Sequence, residues 1–294
     1  MHAFSRFQLV LLALLTLTWG LNWPVMKVGA TGYPPLTFRM LSMWAGLPVL
    51  AAAMAAMKVP LRIPRRHWPE LVVLATFNMF IWHACIMLAV RNLSSGRAAI
   101  LGYTMPIFSA VVGALVFGTA LSRRGWTGVG AAALGVVLLL WHEFTGLAGK
   151  PGFVLLALFA AATWALGTQL LRRTRIEAPI LAISFWMTTL TAAVMTGLSL
   201  LFEPWPWALP SVPVQWAIGY NAVVIFGFAQ ATWFYLARSL PPVASTLSVM
   251  LIPVLGVFSG ALALGEVLHW QDWAAVGLMM VAITSVLLPR RAGS

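Results

Sequence analysis

Long apolar stretches, separated by short charged or proline- and glycine-rich breaks, fill the chain from end to end. A helix needs roughly 20 apolar residues to cross about 30 Å of hydrocarbon. Only 8% of the 294 residues are charged, whereas soluble domains carry about 25%. The sequence therefore predicts an integral membrane protein with ten transmembrane helices. The ten stretches are 7–29, 34–57, 68–90, 95–118, 125–142, 151–172, 178–202, 213–237, 241–264 and 270–288.

The stretches are predicted to be helices rather than barrel strands. A membrane strand alternates apolar and polar residues over about ten positions, and runs such as "AAALGVVLLLW" do not alternate. In lipid, a long uniformly apolar run satisfies its backbone hydrogen bonds by forming a helix. The first stretch follows Arg6, as a signal peptide would, but it is longer than the usual signal-peptide core. We expect it to remain as the first helix.

Basic residues are distributed unevenly between alternate loops. If the amino terminus is cytoplasmic, thirteen of the eighteen lysines and arginines fall in inner loops and tails, four fall outside, and Arg39 lies within the second stretch. This positive-inside bias predicts that both termini are cytoplasmic. A nucleic-acid-binding face is disfavoured, because the net charge of +12 is spread over helix ends rather than collected on one surface.

Two apolar segments 147 positions apart share one pattern: "GYTMPIFSAVVGALVFG" and "VMLIPVLGVFSGALALG". Each contains a proline, Pro106 or Pro253, and the same offset pairs Trp126 with Trp273. At an offset of 145, "TWGLNWPVMK" pairs with "TWALGTQLLR". The fourth and fifth stretches are thus repeated as the ninth and tenth, and the first is repeated as the sixth. An internal duplication is predicted.

A unit of five helices crosses the membrane an odd number of times, so its second copy is inserted the other way up. The predicted fold is all-α, with two inverted five-helix repeats, 1–146 and 147–294, around a central cavity. Inverted repeats are an architecture of secondary transporters, whose site lies near the midplane. Pro106 and Pro253 are predicted hinges, because a proline inside a helix removes a hydrogen bond. A packing kink is the alternative interpretation of each proline.

Polar side chains within the stretches predict which helix faces line the cavity, because polar groups are costly in hydrocarbon. Some are spaced four apart and share a face, as Asn78 and Trp82 do. Amides and hydroxyls beside indole rings suit a zwitterion or a flat organic cation. The alternatives are amide pairs between helices, a packed histidine and tryptophans anchored at the interface. The predicted substrate-binding residues are Trp19, Asn22, Asn78, Trp82, His83, Tyr103, Trp164, Thr168, Gln230, Trp233, Ser245 and Ser248.

Residue types give little support to any chemistry beyond transport. The acidic residues lie at or near the ends of the stretches, and no His/Cys/Asp cluster has metal-ligand spacing. The phosphate-binding pattern G-x-x-x-x-G-K-[ST] does not occur. His83 is the one candidate base at depth. We therefore predict no enzyme activity, no bound metal and no cofactor. The single cysteine, Cys85, excludes an intramolecular disulfide and is expected to be a small packing residue.

With these features the chain resembles the EamA branch of the drug/metabolite transporter superfamily over essentially its whole length. The resemblance lies in "TWGLNWPVMK", in "PPLTFRMLSMWAG", and in "IPVLGVFSGALALGEVLHWQDWAAVGLMMVAITSV" with its Gly265-Glu266 pair. The first half departs from this pattern, because Thr119 stands at the position that corresponds to Glu266. Within the branch, the aromatic content is similar to that of YddG-type amino-acid exporters.

The resemblance implies a bacterial inner-membrane transporter that moves a small metabolite outward through a cavity formed by helices 1, 3, 4, 6, 8 and 9. The expected substrates are amino acids, above all aromatic and neutral ones, or related organic cations. The expected partners are this small molecule and the lipid bilayer, for a chain that acts as a monomer. The alternatives are export of other drugs or metabolites, exchange of nucleotide sugars or sugar phosphates, and a channel.

The placement of charge bears on both substrate and energy source. A phosphate-bearing substrate should need a deep lysine or arginine, and only Arg39 approaches that depth. We expect Arg39 instead to extend to the outer headgroups from near the start of the second helix. Small multidrug exporters of the same superfamily use a glutamate in helix 1 for proton exchange, and helix 1 has none here. The substrate gradient alone, or a weaker proton carrier such as His83, is expected to drive flux.

Overall fold

The structure is a computed structural model that describes residues 5–118, 120, 122–145, 150–204, 208–239 and 251–287. All regular structure within these residues is helical. We number ten helices in chain order. They are α1 (Arg6–Gly32), α2 (Pro35–Ala56), α3 (Arg65–Asn92), α4 (Ser95–Phe117), α5 (Arg123–Thr145), α6 (Pro151–Arg173), α7 (Ile180–Phe202), α8 (Val212–Leu236), α9 (Leu251–Leu264) and α10 (Trp270–Leu287).

The helices coincide with the apolar stretches of the sequence. Seven of them, α1 to α4 and α6 to α8, are long and apolar enough to cross a membrane. The described part of α9 begins at Leu251, because residues 240–250 lie outside the described part of the chain. The predicted all-helical membrane fold is confirmed, whereas a crossing by all ten helices in two inverted repeats stays a prediction.

Several helix ends follow from local sequence. Ser5 and Gln8 form a capping box at the start of α1, in which each side chain bonds the other residue's backbone N–H at 3.1 Å. α4 ends at Gly118, which has a φ of 67°, and the chain after α9 passes through Gly265 with a φ of 66°. Glycine adopts this left-handed conformation without strain, and it commonly ends helices in this way. Gly118 and Gly265 are the pair that the 147-residue offset matches.

Three of the long helices are interrupted in their middle. The backbone of α3 widens to a π-helix at Thr76–Phe80, and that of α8 does so at Asn221–Ala229. α4 breaks at the turn Tyr103–Thr104, between the segments Ser95–Gly102 and Met105–Phe117. π-Helical segments are rare and often mark functional sites. The interruptions therefore indicate where the bundle departs from simple helix packing.

The break in α4 corrects one detail predicted for Pro106. The sequence placed this proline inside a continuous helix, whereas it lies in the first turn of the Met105–Phe117 segment. Proline is well tolerated there, since a first-turn N–H has no partner within its own helix. Pro253 is buried near the described start of α9, and the residues before it are not described.

The helices pack in pairs that relate the two halves of the chain. α1 packs on α9, and α6 packs on α4. α2 contacts α8, α3 contacts α7, and the pairs α2–α7 and α5–α10 join helices that are five apart in chain order. One large core cluster of apolar side chains draws residues from all of α1 to α10. Helices distant in sequence thus meet around the centre of the bundle.

Two carboxylates join helix ends at one end of the bundle. Glu203 accepts hydrogen bonds at 2.7 Å from the backbone N–H groups of Leu36 and Thr37 at the start of α2. Glu266 accepts bonds from the N–H groups of Ser95 and Gly96, at 2.7 and 3.2 Å, at the start of α4. Anions are stabilised at helix amino termini. The helix-end placement expected for acidic residues is confirmed for these two.

We call this end of the bundle, which carries Lys27, Ser95, Glu203 and Glu266, the Lys27 end. The opposite end is called the Arg172 end. There, Glu70 accepts bonds from the Thr174 hydroxyl and the Arg175 N–H, and Arg66 pairs with Glu177.

Candidate functional site

A central cavity lies between α1, α2, α3, α4, α6 and α8, and it has two adjoining compartments. The first, the Arg172 compartment, has a cavity volume of about 50 Å³ and extends toward Arg172. The second, the Arg39 compartment, has a cavity volume of about 50 Å³ and extends toward Arg39. The compartments share four lining residues, which are Trp19, Tyr103, Met105 and Trp164.

One face of α1 supplies much of the lining. Trp19, Asn22, Trp23 and Met26 stand at positions i, i+3, i+4 and i+7, which share one side of a helix. The neighbouring Gly20 lies so close to α9 that an added Cβ would be 2.6 Å from the Cβ of Leu255. Close packing on α9 therefore holds the tryptophan and asparagine side of α1 toward the cavity.

Four indole rings form a continuous chain across the cavity, which we call the indole chain. Ring centroids are 5.2 Å apart between Trp82 and Trp164, 6.4 Å between Trp164 and Trp19, and 5.5 Å between Trp19 and Trp233. Trp82, Trp164 and Trp233 are buried, and Trp19 is partly buried. Tilted and edge-to-face arrangements of this kind are favourable for aromatic rings. Trp19, Trp82 and Trp164, which the sequence predicts to bind substrate, thus meet on the cavity lining.

Most predicted site residues meet at this cavity. Asn22, Trp82, His83 and Gln230 line the Arg39 compartment, and Pro106, Thr168 and Trp233 line the Arg172 compartment, with Trp19, Tyr103 and Trp164 in both.

Asn78 is placed differently from the other predicted residues. It is fully buried between α3 and α6, where its amide nitrogen donates to the Thr168 hydroxyl at 3.2 Å. An added Cβ on Gly167 of α6 would lie 2.6 Å from the backbone nitrogen of Asn78. Asn78 thus joins two helices behind the lining. Pro253 also lies outside the lining, and Ser245 and Ser248 lie outside the described residues.

Polar atoms without a protein partner are concentrated on the lining. Buried polar groups in proteins are nearly always hydrogen-bonded, so each exception calls for an explanation. A cavity-lining position exposes such atoms to whatever molecule enters. The lining atoms that make no hydrogen bond within the protein are Asn22 Oδ1, Arg39 Nε, both ring nitrogens of His83, Arg172 Nε, Gln230 Nε2 and Trp233 Nε1.

Arg39 is the functional candidate whose position the sequence predicted wrongly. Its side chain does not extend to the headgroups, because the residue is only 1% exposed and lines the cavity. Nη1 donates to Asn221 Oδ1 at 3.0 Å, and Nη2 approaches the sulfur atoms of Met26 and Met87 at 2.7 Å. Sulfur is a weak acceptor. The π-helical segment of α8 places Asn221 opposite Arg39, and sequence periodicity alone does not reveal such a widening.

The cavity is closed at the Lys27 end. Trp23 stacks edge-to-face on Tyr103, with ring centroids 6.2 Å apart. An added Cβ on Gly256 would lie 2.6 Å from the Cβ of Ala99, so α9 and α4 touch here. Lys27 Nζ donates to the carbonyl oxygens of Val90, Arg91 and Leu93 at 2.7 to 3.0 Å. α1, α3, α4 and α9 thus meet above the cavity.

The charges around the cavity are of one sign. Arg39 and Arg172 line it, whereas no carboxylate belongs to the lining within the described part of the chain. The described residues also contain no group of three or more His, Cys, Asp or Glu side chains that could hold a metal ion. This cavity therefore favours a ligand with negative charge on part of its surface and apolar area elsewhere.

Named relatives of the chain are transporters. YedA, named an uncharacterized inner membrane transporter of Escherichia coli (strain K12), is 27% identical over 93% of this chain and 88% of its own length. YoaV, named an uncharacterized transporter of Bacillus subtilis (strain 168), is 24% identical over 85% of this chain and 86% of its own. A probable amino-acid metabolite efflux pump of Salmonella typhimurium (strain LT2) is 26% identical, with 95% and 94% covered.

Fold and family comparisons agree with these relatives. A solved crystal structure superposes with a TM-score of 0.69 at 22% identity, over 93% of this chain and 95% of that one, which shows a shared fold. The model of the EamA-like transporter family matches twice, at residues 6–141 and at residues 152–288. These two matches include most of the chain. The protein is therefore a membrane transporter that belongs to the EamA-like transporter family.

Proposed function

We propose that the protein is a secondary transporter that exports amino acids, above all aromatic and neutral ones, by alternating access. The observation that carries this proposal is the indole chain beside the unpartnered polar atoms of Asn22, His83, Gln230 and Arg39. Indole faces accept an apolar or aromatic side chain, and the polar atoms can bond an ammonium or a carboxylate group. One compact cavity thus offers complementary groups to both parts of an amino acid.

The proposed mechanism uses the two halves of the chain, 1–146 and 147–294, as inverted repeats. Support comes from the two separate family matches, from the paired contacts α1–α9 and α6–α4, and from the matched glycines Gly118 and Gly265. Rocking of one repeat against the other opens the cavity to each side in turn. Pro106 lines the cavity just after the break in α4 and is the proposed hinge there, with Pro253 as its counterpart.

In the proposed orientation, both termini are cytoplasmic and the Lys27 end faces outward across a bacterial inner membrane. The support is the excess of lysine and arginine in the loops assigned to the inside. The described structure then has its outward side closed by Trp23, Tyr103 and Lys27.

The test is uptake into proteoliposomes of labelled tryptophan, phenylalanine, methionine and threonine, with and without a pH gradient. Saturable flux with counterflow supports the proposal, and its pH response shows whether a proton travels too. As a control, Trp216→Ala removes an indole ring that is 76% exposed and does not belong to the lining. No flux of any amino acid through intact reconstituted protein refutes amino-acid transport. Non-saturable flux without counterflow indicates a channel instead.

A second candidate is exchange of phosphate-bearing metabolites such as sugar phosphates. It is favoured by the two guanidinium groups, Arg39 and Arg172, on the lining. Counterflow of a labelled sugar phosphate in the same proteoliposomes tests it. The same charges disfavour an organic cation as substrate, because a cation would meet two like charges with no lining carboxylate in the described residues.

A further inference from the structure

Arg39 is held in the cavity wall without an anionic partner. It lies on α2, fully buried between the rings of Phe38 and Phe226, whose centroids are 5.8 and 5.5 Å from its guanidinium carbon. A guanidinium group has five N–H donors. Among the described residues, the oxygen that receives one of them is Asn221 Oδ1, and Nε has no partner within the protein.

Two other cations among the described residues, Lys27 and Arg97, do have protein partners. Lys27 Nζ bonds three carbonyl oxygens, and Arg97 pairs with Asp272 at 2.9 Å. Burial of a charge is costly unless the charge is paired and hydrogen-bonded. A charged residue inside a membrane domain therefore marks a functional position, with its partner to be identified. For Arg39, the described protein supplies amide, sulfur and aromatic neighbours but no carboxylate.

The surroundings of Arg39 indicate the shape of the missing partner. The lining of the Arg39 compartment includes the polar residues Asn22, His83 and Gln230 and the indole rings of Trp19, Trp82 and Trp164. A planar carboxylate matches the fork of a guanidinium group in a bidentate pair. A molecule whose carboxylate reaches Arg39 therefore lays its remaining atoms against the indole chain.

We infer that Arg39 binds the carboxylate of the transported molecule, so that the substrates of this site are carboxylates with an apolar or aromatic body. This inference rests on the proposed transport function and specifies which end of an amino acid each part of the cavity recognises. It also predicts that a carboxylate without an amino group binds more tightly than an amine or amide without a carboxylate.

Two variants separate this role from a purely structural one. Arg39→Gln removes the charge and keeps a polar, although shorter, side chain. Asn221→Asp keeps Arg39 but places a carboxylate at the oxygen that already lies 3.0 Å from it. If Arg39 only joins α2 to α8, the second variant strengthens that contact and leaves ligand preference unchanged. If Arg39 receives the substrate, the new carboxylate competes with it.

The experiment measures the rise in Tm of the purified, detergent-solubilised full chain with four ligands. These are phenylalanine, 3-phenylpropionate, phenylalaninamide and glucose 6-phosphate. A ligand that binds the folded state raises Tm with its concentration. In the wild-type protein, we expect the two carboxylates to act at concentrations at least about tenfold below the amide, since an unpaired buried charge weakens binding by that much or more. Arg39→Gln and Asn221→Asp should each abolish this difference, and the exposed control Arg173→Gln should retain it.

The possible outcomes are distinguishable. The assignment of Arg39 is overturned by any of three results. Phenylalaninamide raises Tm at the same concentrations as the carboxylates, Asn221→Asp retains the preference for carboxylates over the amide, or neither carboxylate raises Tm. A shift with glucose 6-phosphate alone also overturns it and favours the phosphate exchanger. If 3-phenylpropionate raises Tm and no amino acid does, the assignment stands and the amino-acid proposal fails. If phenylalanine is transported but the amide binds equally well, amino-acid transport stands and the assignment fails.

Discussion

The closed Lys27 end should depend on Glu266, and the variant Glu266→Gln tests this. The Glu266 carboxylate joins the chain between α9 and α10 to the start of α4, where it accepts bonds from the N–H and hydroxyl of Ser95 and the N–H of Gly96. In the proposed transport cycle, α4 and α9 separate at this end when the cavity opens outward. The variant keeps the size of the side chain but removes its charge, so it weakens a contact that exists only while this end is closed.

The size of the effect follows from these bonds. Hydrogen bonds to a charged group contribute about 1.5–3 kcal/mol and neutral ones about 0.5–1.5 kcal/mol, so each strong bond loses roughly 1 kcal/mol. Two of the three bonds to Glu266 are short, at 2.7 and 2.9 Å. They are only partly buried, and solvent screening reduces the loss. We therefore expect the closed state to lose about 1–2 kcal/mol, which shifts the equilibrium toward the open state by about 5- to 30-fold.

The assay is labelling of a single cysteine with a membrane-impermeant maleimide from the outer side. Cys85→Ser removes the native thiol, and Met26→Cys places the reporter on the cavity face of α1, where Met26 is 6% exposed. When closing and opening are fast, the labelling rate is proportional to the fraction of open molecules. The rate should rise by about 5- to 30-fold in Glu266→Gln.

The matched control is Glu203→Gln. Glu203 makes bonds of the same kind at the same end, but it joins α7 to α2, neither of which carries a proposed hinge, whereas α4 and α9 carry Pro106 and Pro253. Both variants should lower Tm, and only Glu266→Gln should accelerate labelling. Equal labelling rates in wild type and Glu266→Gln, at a lowered Tm, would refute the role of Glu266 in closure. A similar acceleration in both variants would show that general loosening, not separation of α4 from α9, exposes the reporter.

Three further predictions concern the cavity and its hinges. Trp164→Ala should weaken binding of aromatic substrates by roughly 2- to 13-fold in a competition assay, since it removes one ring contact with the substrate of about 0.5–1.5 kcal/mol. Trp164→Phe should recover part of this loss, and an unchanged affinity in Trp164→Ala would contradict the prediction. Pro106→Ala combined with Pro253→Ala should reduce flux at normal membrane insertion; full flux would exclude the hinges. His83→Ala should flatten the pH dependence of transport if His83 carries the proton, and an unaltered profile rules that role out.

Apolar length and spacing were sufficient to predict the helices and part of the site. Uniformly apolar stretches leave a membrane chain little choice but helix, so the helix positions could be read from the sequence. The face that Trp19 and Asn22 share with Trp23 and Met26 follows from helix geometry alone. The glycine ends at Gly118 and Gly265 were visible as a matched pair. These are local properties, and each is decided within one helix.

Tertiary structure decided the features that depend on neighbours. Nothing within the sequence "PPLTFRMLSMWAG" distinguishes an arginine that extends to headgroups from one enclosed by Phe226 and Asn221 of α8. The π-helical segments likewise pack against helices of the other half of the chain, Thr76–Phe80 against α6 and α7 and Asn221–Ala229 against α2. The sequence thus determined the helices and one face of the cavity, whereas packing between distant helices determined the depth of Arg39, because burial belongs to the assembled bundle rather than to any single helix.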